Sequence, residues 1–174
     1  MQTTTAVLML LLAAAAVCDI RERRIPNWLN LAILVGGLLA ALSSPPTINS
    51  LFRSLFGVGV GFAVWIPFYL FRLVGAGDVK LMAASGAWLG AAGVLSASLW
   101  AGMAGGVLGA FWILRRQGAQ AAMLAIVHAL RTPRLLQMRP MDRRERVPYA
   151  VAIAVGVLIS WFDLSSAFSA LRAI

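Results

Sequence analysis

The chain has 174 residues, 61% of them hydrophobic and only 12% charged, with 15 Lys and Arg against 6 Asp and Glu. A soluble domain carries about 25% charged residues, so composition excludes an ordinary water-soluble globule, and a mean hydropathy of +0.86 points to an integral membrane protein. The net charge of +9 does not indicate a nucleic-acid binder, because the basic residues sit in a few loops; the expected partner is a lipid bilayer, with no nucleic acid.

A transmembrane helix needs about 20 mostly apolar residues. The first run covers about 3–18 and is closed by Asp19. Residues 8–17 look like the core of a signal peptide, but no basic residue precedes them, and Val17 stands where processing needs a small residue. Arg21, Arg23 and Arg24 follow the run instead. That is the pattern of a retained span whose C-terminal end is cytoplasmic. Cys18 is the one cysteine, so neither a disulfide framework nor a cysteine metal site is available, and a buried thiol is expected. Pro26 opens the second run, about 28–42, where a missing N–H costs nothing. Ser43-Ser44-Pro45-Pro46 reads as a loop. The third run covers about 51–71, with Pro67 marking a kink site.

Residues 81–114 carry no charge. One helix of that length overshoots a bilayer and strands the basic segment beyond it on the wrong side. We therefore expect two short helices broken near 90–98, with Gly102, Gly105, Gly106 and Gly109 letting neighbours approach closely. Residues 115–146 form the one sizeable polar segment. Met123, Ile126, Val127 and Leu130 share a helical face there, which suits a helix lying on the membrane, ended by Pro133 and Pro140. The last span covers about 147–162. The fold class is thus all-α: a single polytopic membrane domain over 1–174, with about six transmembrane helices and a cytoplasmic amphipathic segment between the fifth and sixth.

Six spans with the N-terminus outside leave only Arg53 and Arg172 outside among the 15 basic residues, as the positive-inside rule asks. Asp19 then closes the first span and Asp78 opens the fourth at the same cytoplasmic depth. A carboxylate at the edge of a span is costly, and its default reading is functional. Gly75 and Gly77 leave room for another backbone beside Asp78. Two carboxylates in contact cannot both ionise easily; they share a proton and supply a base to activate water and an acid to protonate a leaving amine. The plainer reading stands beside this one: Asp19 capping a helix or pairing with Arg21 or Arg23, and Asp78 capping the fourth helix with glycines as turn residues. His128 is the one histidine and falls in the polar segment, so it is read as a surface residue, and no histidine triad or histidine metal site is available in the membrane.

Gly75-Ala76-Gly77-Asp78-Val79-Lys80-Leu81 resembles the Gly-x-Gly-Asp-x-Lys-Leu motif of the prepilin peptidases. Asp19-Ile20-Arg21-Glu22-Arg23-Arg24-Ile25-Pro26-Asn27 resembles that family's other element, an aspartate followed by a basic stretch and Ile-Pro-Asn. Arg146-Val147-Pro148-Tyr149-Ala150 resembles its entry to the last span, with Ala150 where glycine is common; being distant in sequence from both carboxylates, this departure is expected to matter little. The resemblance implies an intramembrane aspartic endopeptidase with Asp19 and Asp78 as the catalytic pair, Gly75, Gly77, Lys80, Pro26 and Asn27 as motif support, and neither metal nor cofactor. Its substrate would be a prepilin, a basic leader followed by an apolar helix, cut at the cytoplasmic face of the inner membrane. Lys80 has two readings: positioning Asp78, or snorkelling to head groups, the latter favoured. Larger members of the family carry an N-terminal cytoplasmic insert with paired Cys-x-x-Cys motifs and also methylate the new N-terminus. This chain has neither feature and looks like the short, peptidase-only branch serving tight-adherence (Flp-type) pili, which implies no methyltransferase activity. The rival readings are a small proton-coupled transporter, for which no internal repeat is found, and an inactive pilus-assembly scaffold of the same fold.

Overall fold

The computed structural model describes residues 2–43, 48–131 and 149–172, all arranged in helices and short connections. Helix α1 (Gln2–Glu22) runs one turn past the expected end of the first span, so Asp19 lies inside the helix and not beyond it. Arg23 closes it in the left-handed region, at φ 53°, with its N–H bonded to the Asp19 carbonyl at 2.9 Å. This single bond back into the last turn is a common helix stop. Helix α2 (Asn27–Ser43) begins directly after Pro26, whose carbonyl accepts the N–H groups of Leu29 and Asn30.

Helix α3 (Ile48–Leu70) keeps its helical course through Pro67. It ends at Arg72, with φ 60°, where Arg72 N–H bonds Tyr69 O and Leu73 N–H bonds Phe68 O, each at 2.9 Å. These two bonds are the Schellman pattern that ties off exposed carbonyls at a helix end. Helix α5 (Tyr149–Arg172) extends ten residues past the expected end of the last span.

Helix α4 (Ala76–Arg131) is not a straight rod. A Cβ on Gly61 of α3 would stand 2.9 Å from the Met82 carbonyl oxygen and 3.1 Å from Cγ2 of Val94. Twelve residues of straight helix span about 18 Å, so 82 and 94 meet one point only if the chain doubles back between them. The turn is at Gly90, whose φ of +71° glycine adopts without steric cost. Arg53 lies against that turn and donates to Leu89 O at 3.4 Å, binding a carbonyl at the end of the first arm. The second arm returns along α3, where Trp65 Nε1 donates to Ser98 Oγ at 3.0 Å, and along α5, where Ser160 Oγ donates to Gly93 O at 2.7 Å.

The described residues therefore form five helices, the fourth of which turns back at Gly90. Three helical stretches are long and apolar enough to cross a membrane, Thr4–Glu22, Asn49–Leu70 and Ala76–Phe111, the last being the folded-back one; Asn27–Ser43 and Tyr149–Asp163 are shorter apolar helices. Large apolar side chains such as Leu10, Trp28, Phe52, Phe56, Leu99 and Val107 point outward, while the interior is built from Ala83, Ala84, Ala87, Ala97, Ala101 and Ala150 around Leu81, Met82 and Ile153. Large apolar side chains facing outward, with small residues where helices meet closely, is the packing of helices in lipid.

Two expectations about α4 need correcting. Of the four glycines expected to bring helices together, only Gly105 does so among the described residues, against Tyr149; Gly102, Gly106 and Gly109 meet no described residue within 4 Å. The closest backbone-to-backbone approaches are at Gly57 on Gly86, and at Gly156 on Ala97 and Ala101. Nor does the helix stop at residue 114: it continues to Arg131, since Arg115, Arg116 and Gln117 are good helix formers. Arg115 lies over the Phe111 ring at 5.3 Å. Pro133, Pro140 and the rest of the polar segment past Arg131 lie outside the described residues.

Candidate active site

Four helix ends meet at one end of the bundle: the close of α1 and the starts of α2, α4 and α5. Asp19 comes from the last turn of α1 and is 7% exposed. Its Oδ2 accepts the Ala150 N–H at 3.1 Å. Ala150 lies in the first turn of α5, where N–H groups have no partner within the helix. Ala150, distant from both carboxylates in sequence, thus holds one of them in space. The contact uses the backbone N–H, which a glycine would present equally, and no side-chain pattern announces it.

Asp78 comes from the first turn of α4 and is 9% exposed. Gly75 N–H donates to its Oδ2 at 2.9 Å, and Asp78 N–H donates back to Gly75 O at 3.1 Å. The exchange resembles a capping box, so the plainer reading of Asp78 holds as far as it goes. Both carboxylates, however, line one open cavity of about 380 Å³, together with Arg23, Arg24, Asn27 and Lys80. Asp78 thus caps its helix and faces the same space as Asp19.

The motif residues divide by task. Gly75 and Gly77 line the cavity, and a Cβ on Gly77 would rest 3.4 Å from Cβ of buried Ile25. Lys80 does not simply reach for solvent: its Nζ donates to Asn27 Oδ1 at 3.1 Å, tying α4 to the start of α2. Pro26 starts α2 and is not among the cavity-lining residues. His128 lies in the part of α4 whose side chains are outside the description. Cys18 is half-buried, one residue before Asp19, and makes no disulfide.

Three residues of the site were not anticipated. Asn30, 5% exposed, donates from Nδ2 to Gly77 O at 3.4 Å. Its signal in the sequence is an amide within an apolar helix, which demands partners. Tyr149 stands within the field of Asp78, edge-on to Trp65 with ring centroids 6.5 Å apart. Ala150 is the third.

The geometry brings two carboxylates from distant parts of the chain to one open cavity at the end of an apolar bundle. Comparison with known proteins bears on its chemistry. The model of the type IV leader peptidase family matches residues 6–110. A prepilin leader peptidase/N-methyltransferase of Xanthomonas campestris pv. campestris is 32% identical over 117 residues, 63% of this chain and 40% of the relative. One from Pectobacterium carotovorum subsp. carotovorum is 33% identical over 126 residues, 68% of this chain and 44% of the relative. One from Dickeya chrysanthemi is 38% identical over 84 residues, 44% of this chain and 29% of the relative. The chain thus spans less than half the length of these curated relatives. No solved structure matches. The matched region holds both aspartates and every residue that lines the cavity, and the chain belongs to the type IV leader peptidase family.

Proposed function

We propose that this chain is a prepilin leader peptidase, an aspartic endopeptidase whose catalytic pair is Asp19 and Asp78. The observation that carries the reading is the convergence of these two buried carboxylates on one cavity. Family membership supports it, since relatives are named for prepilin leader cleavage.

In this mechanism one proton is shared between the two carboxylates. The ionised one takes a proton from water as the water oxygen attacks the scissile carbonyl carbon. The protonated one gives its proton to the carbonyl oxygen, yielding a tetrahedral diol. Collapse of the diol passes a proton to the nitrogen and breaks the C–N bond, freeing the leader's carboxylate and a new amino terminus. The Ala150 and Gly75 N–H groups hold one oxygen of each carboxylate, which orients the other toward the reaction space. The substrate helix lies in lipid and presents the junction at the helix ends. Arg23, Arg24 and Lys80 around the cavity do not attract a basic leader, so recognition rests on helix packing and on residues beyond the cut.

The finer reading is a tight-adherence (Flp-type) enzyme of the bacterial inner membrane, with its N-terminus outside, its site facing the cytoplasm and no methyl transfer. Co-expression with a tight-adherence prepilin tests it: the wild-type chain yields the shortened pilin, and Asp19→Asn or Asp78→Asn each abolishes it. Processing that survives either substitution returns the chain to the scaffold reading. Proton-coupled transport without cleavage would favour the transporter.

A further inference from the structure

The start of α2 carries two asparagines, Asn27 and Asn30, spaced so that they share a helix face. Both bond to the first turn of α4. Asn27 Oδ1 accepts from Lys80 Nζ at 3.1 Å, and Asn30 Nδ2 donates to Gly77 O at 3.4 Å. Between them lies the peptide that leads into Asp78. The two bonds differ in setting: the Lys80 bond is exposed, whereas Asn30 is 5% exposed.

Asn30 has a second peculiarity. Its Oδ1 is buried with no hydrogen-bond partner among the described residues. A buried unsatisfied carbonyl costs about 1–3 kcal/mol, and a leucine of similar volume at this apolar position avoids that cost. Stability alone therefore does not favour an asparagine here. The Nδ2 group is the part with a task, and its partner is the carbonyl of the residue preceding Asp78. The amide cannot be turned over, because Oδ1 would then oppose Gly77 O, and only an N–H suits a carbonyl.

We propose that Asn30 is a positioning residue of the peptidase site: it holds the Gly77 carbonyl, and through it fixes the aim of the Asp78 carboxylate into the cavity. The inference rests on the reading of Asp78 as one of the catalytic pair. Gly77 has no side chain to anchor it; on one side it meets Ile25, on the other the Asn30 amide. Without that amide the glycine-rich turn is free to shift, and a misplacement of about 1 Å at a reacting group costs about 100-fold in rate.

The test uses the full chain in detergent micelles, with Asn30→Leu, which removes donor and orphan oxygen together, and Asn30→Asp, which keeps the shape without the amide donor. Two quantities are read on the folded, monodisperse fraction: backbone hydrogen exchange over residues 73–80, and kcat and KM on a tight-adherence prepilin. In Asn30→Leu we expect exchange to quicken over 75–79 and not in the middle of α2 or α4. The melting temperature stays at or above the wild-type value, kcat falls at least about tenfold, and KM stays within about twofold, as for a group acting on the transition state. Unchanged exchange over 75–79, or kcat within about twofold of wild type, overturns the assignment. So does a loss of fold in both variants, which would make Asn30 structural. Quickened exchange in a chain whose wild type cuts no prepilin would leave the tether standing and remove the peptidase reading instead.

Discussion

Asp78 caps its helix and, in the proposed mechanism, is also one of the catalytic pair, and substitution separates the two. Its Oδ2 accepts the Gly75 N–H, and an asparagine oxygen accepts that bond as well. Asp78→Asn is therefore expected to keep the cap and lose the chemistry, with peptidase activity gone and the melting temperature within about 2 °C of wild type, since 1 kcal/mol is worth about 2–4 °C at this size. Asp78→Ala loses both, and its melting temperature drops further because a lost cap costs about 1 kcal/mol. If Asp78→Asn remains active, capping is the whole role of the residue. The same comparison shows where the sequence was readable. Asp19 and Asp78 stand out because a carboxylate at the edge of an apolar run has to be explained. The Ala150 N–H that holds Asp19 is a backbone group, and every residue but proline has one. Asn30 was visible as a polar residue in an apolar helix, but its partner, Gly77 O, lies 47 residues away and is set by how α2 meets α4.

Among the elements, α4 sets the form of the bundle by its reversal at Gly90. The reversal was legible as excess length, since an uncharged run of 34 residues (81–114) is about 51 Å of helix against a hydrocarbon core of about 30 Å. Which glycines touch neighbours was not legible, because composition does not say which face of a helix meets another. The structure ranks three of them. A Cβ at Gly86 lands on the backbone of Gly57, which has no way to yield. A Cβ at Gly90 meets the flexible Arg53 side chain but leaves alanine at φ +71°, at a cost of about 1–2 kcal/mol. A Cβ at Gly102 meets no described residue within 4 Å, and alanine there gains up to about 1 kcal/mol of helix propensity. Thermal melts in detergent should therefore order the variants Gly86→Ala lowest, Gly90→Ala next, and Gly102→Ala at or above wild type. A Gly86→Ala protein as stable as wild type would mean that α3 and α4 do not pack as closely as described.

At the scale of the whole molecule, the close of α1 and the starts of α2, α4 and α5 gather at one end of the bundle, with Arg23, Arg24 and Lys80 around the cavity and Arg21 and Arg72 at the neighbouring ends of α1 and α3. Arg53, the Gly90 turn it binds and the Ser160–Gly93 bond lie toward the other. The charge pattern was written in the sequence, and the fold supplies an independent reason for it: the end richest in cations is also the end where the aspartates converge. Positive charge is retained on the cytoplasmic side of a membrane, so this end should face the cytoplasm. In a Cys18→Ser background, single cysteines at Arg21→Cys and Arg72→Cys should resist a membrane-impermeant thiol reagent added to intact cells and react once the membrane is opened. Ser43→Cys, at the far end of α2 and exposed, should react in intact cells. The reverse pattern would put the carboxylates on the outer face, where a leader still attached to a cytoplasmic precursor cannot reach them, and the peptidase mechanism would fail for lack of access even with its chemistry intact. Labelling of all three from one side would mean that α2 and α3 do not each cross the membrane, and the inward-facing site would go with them.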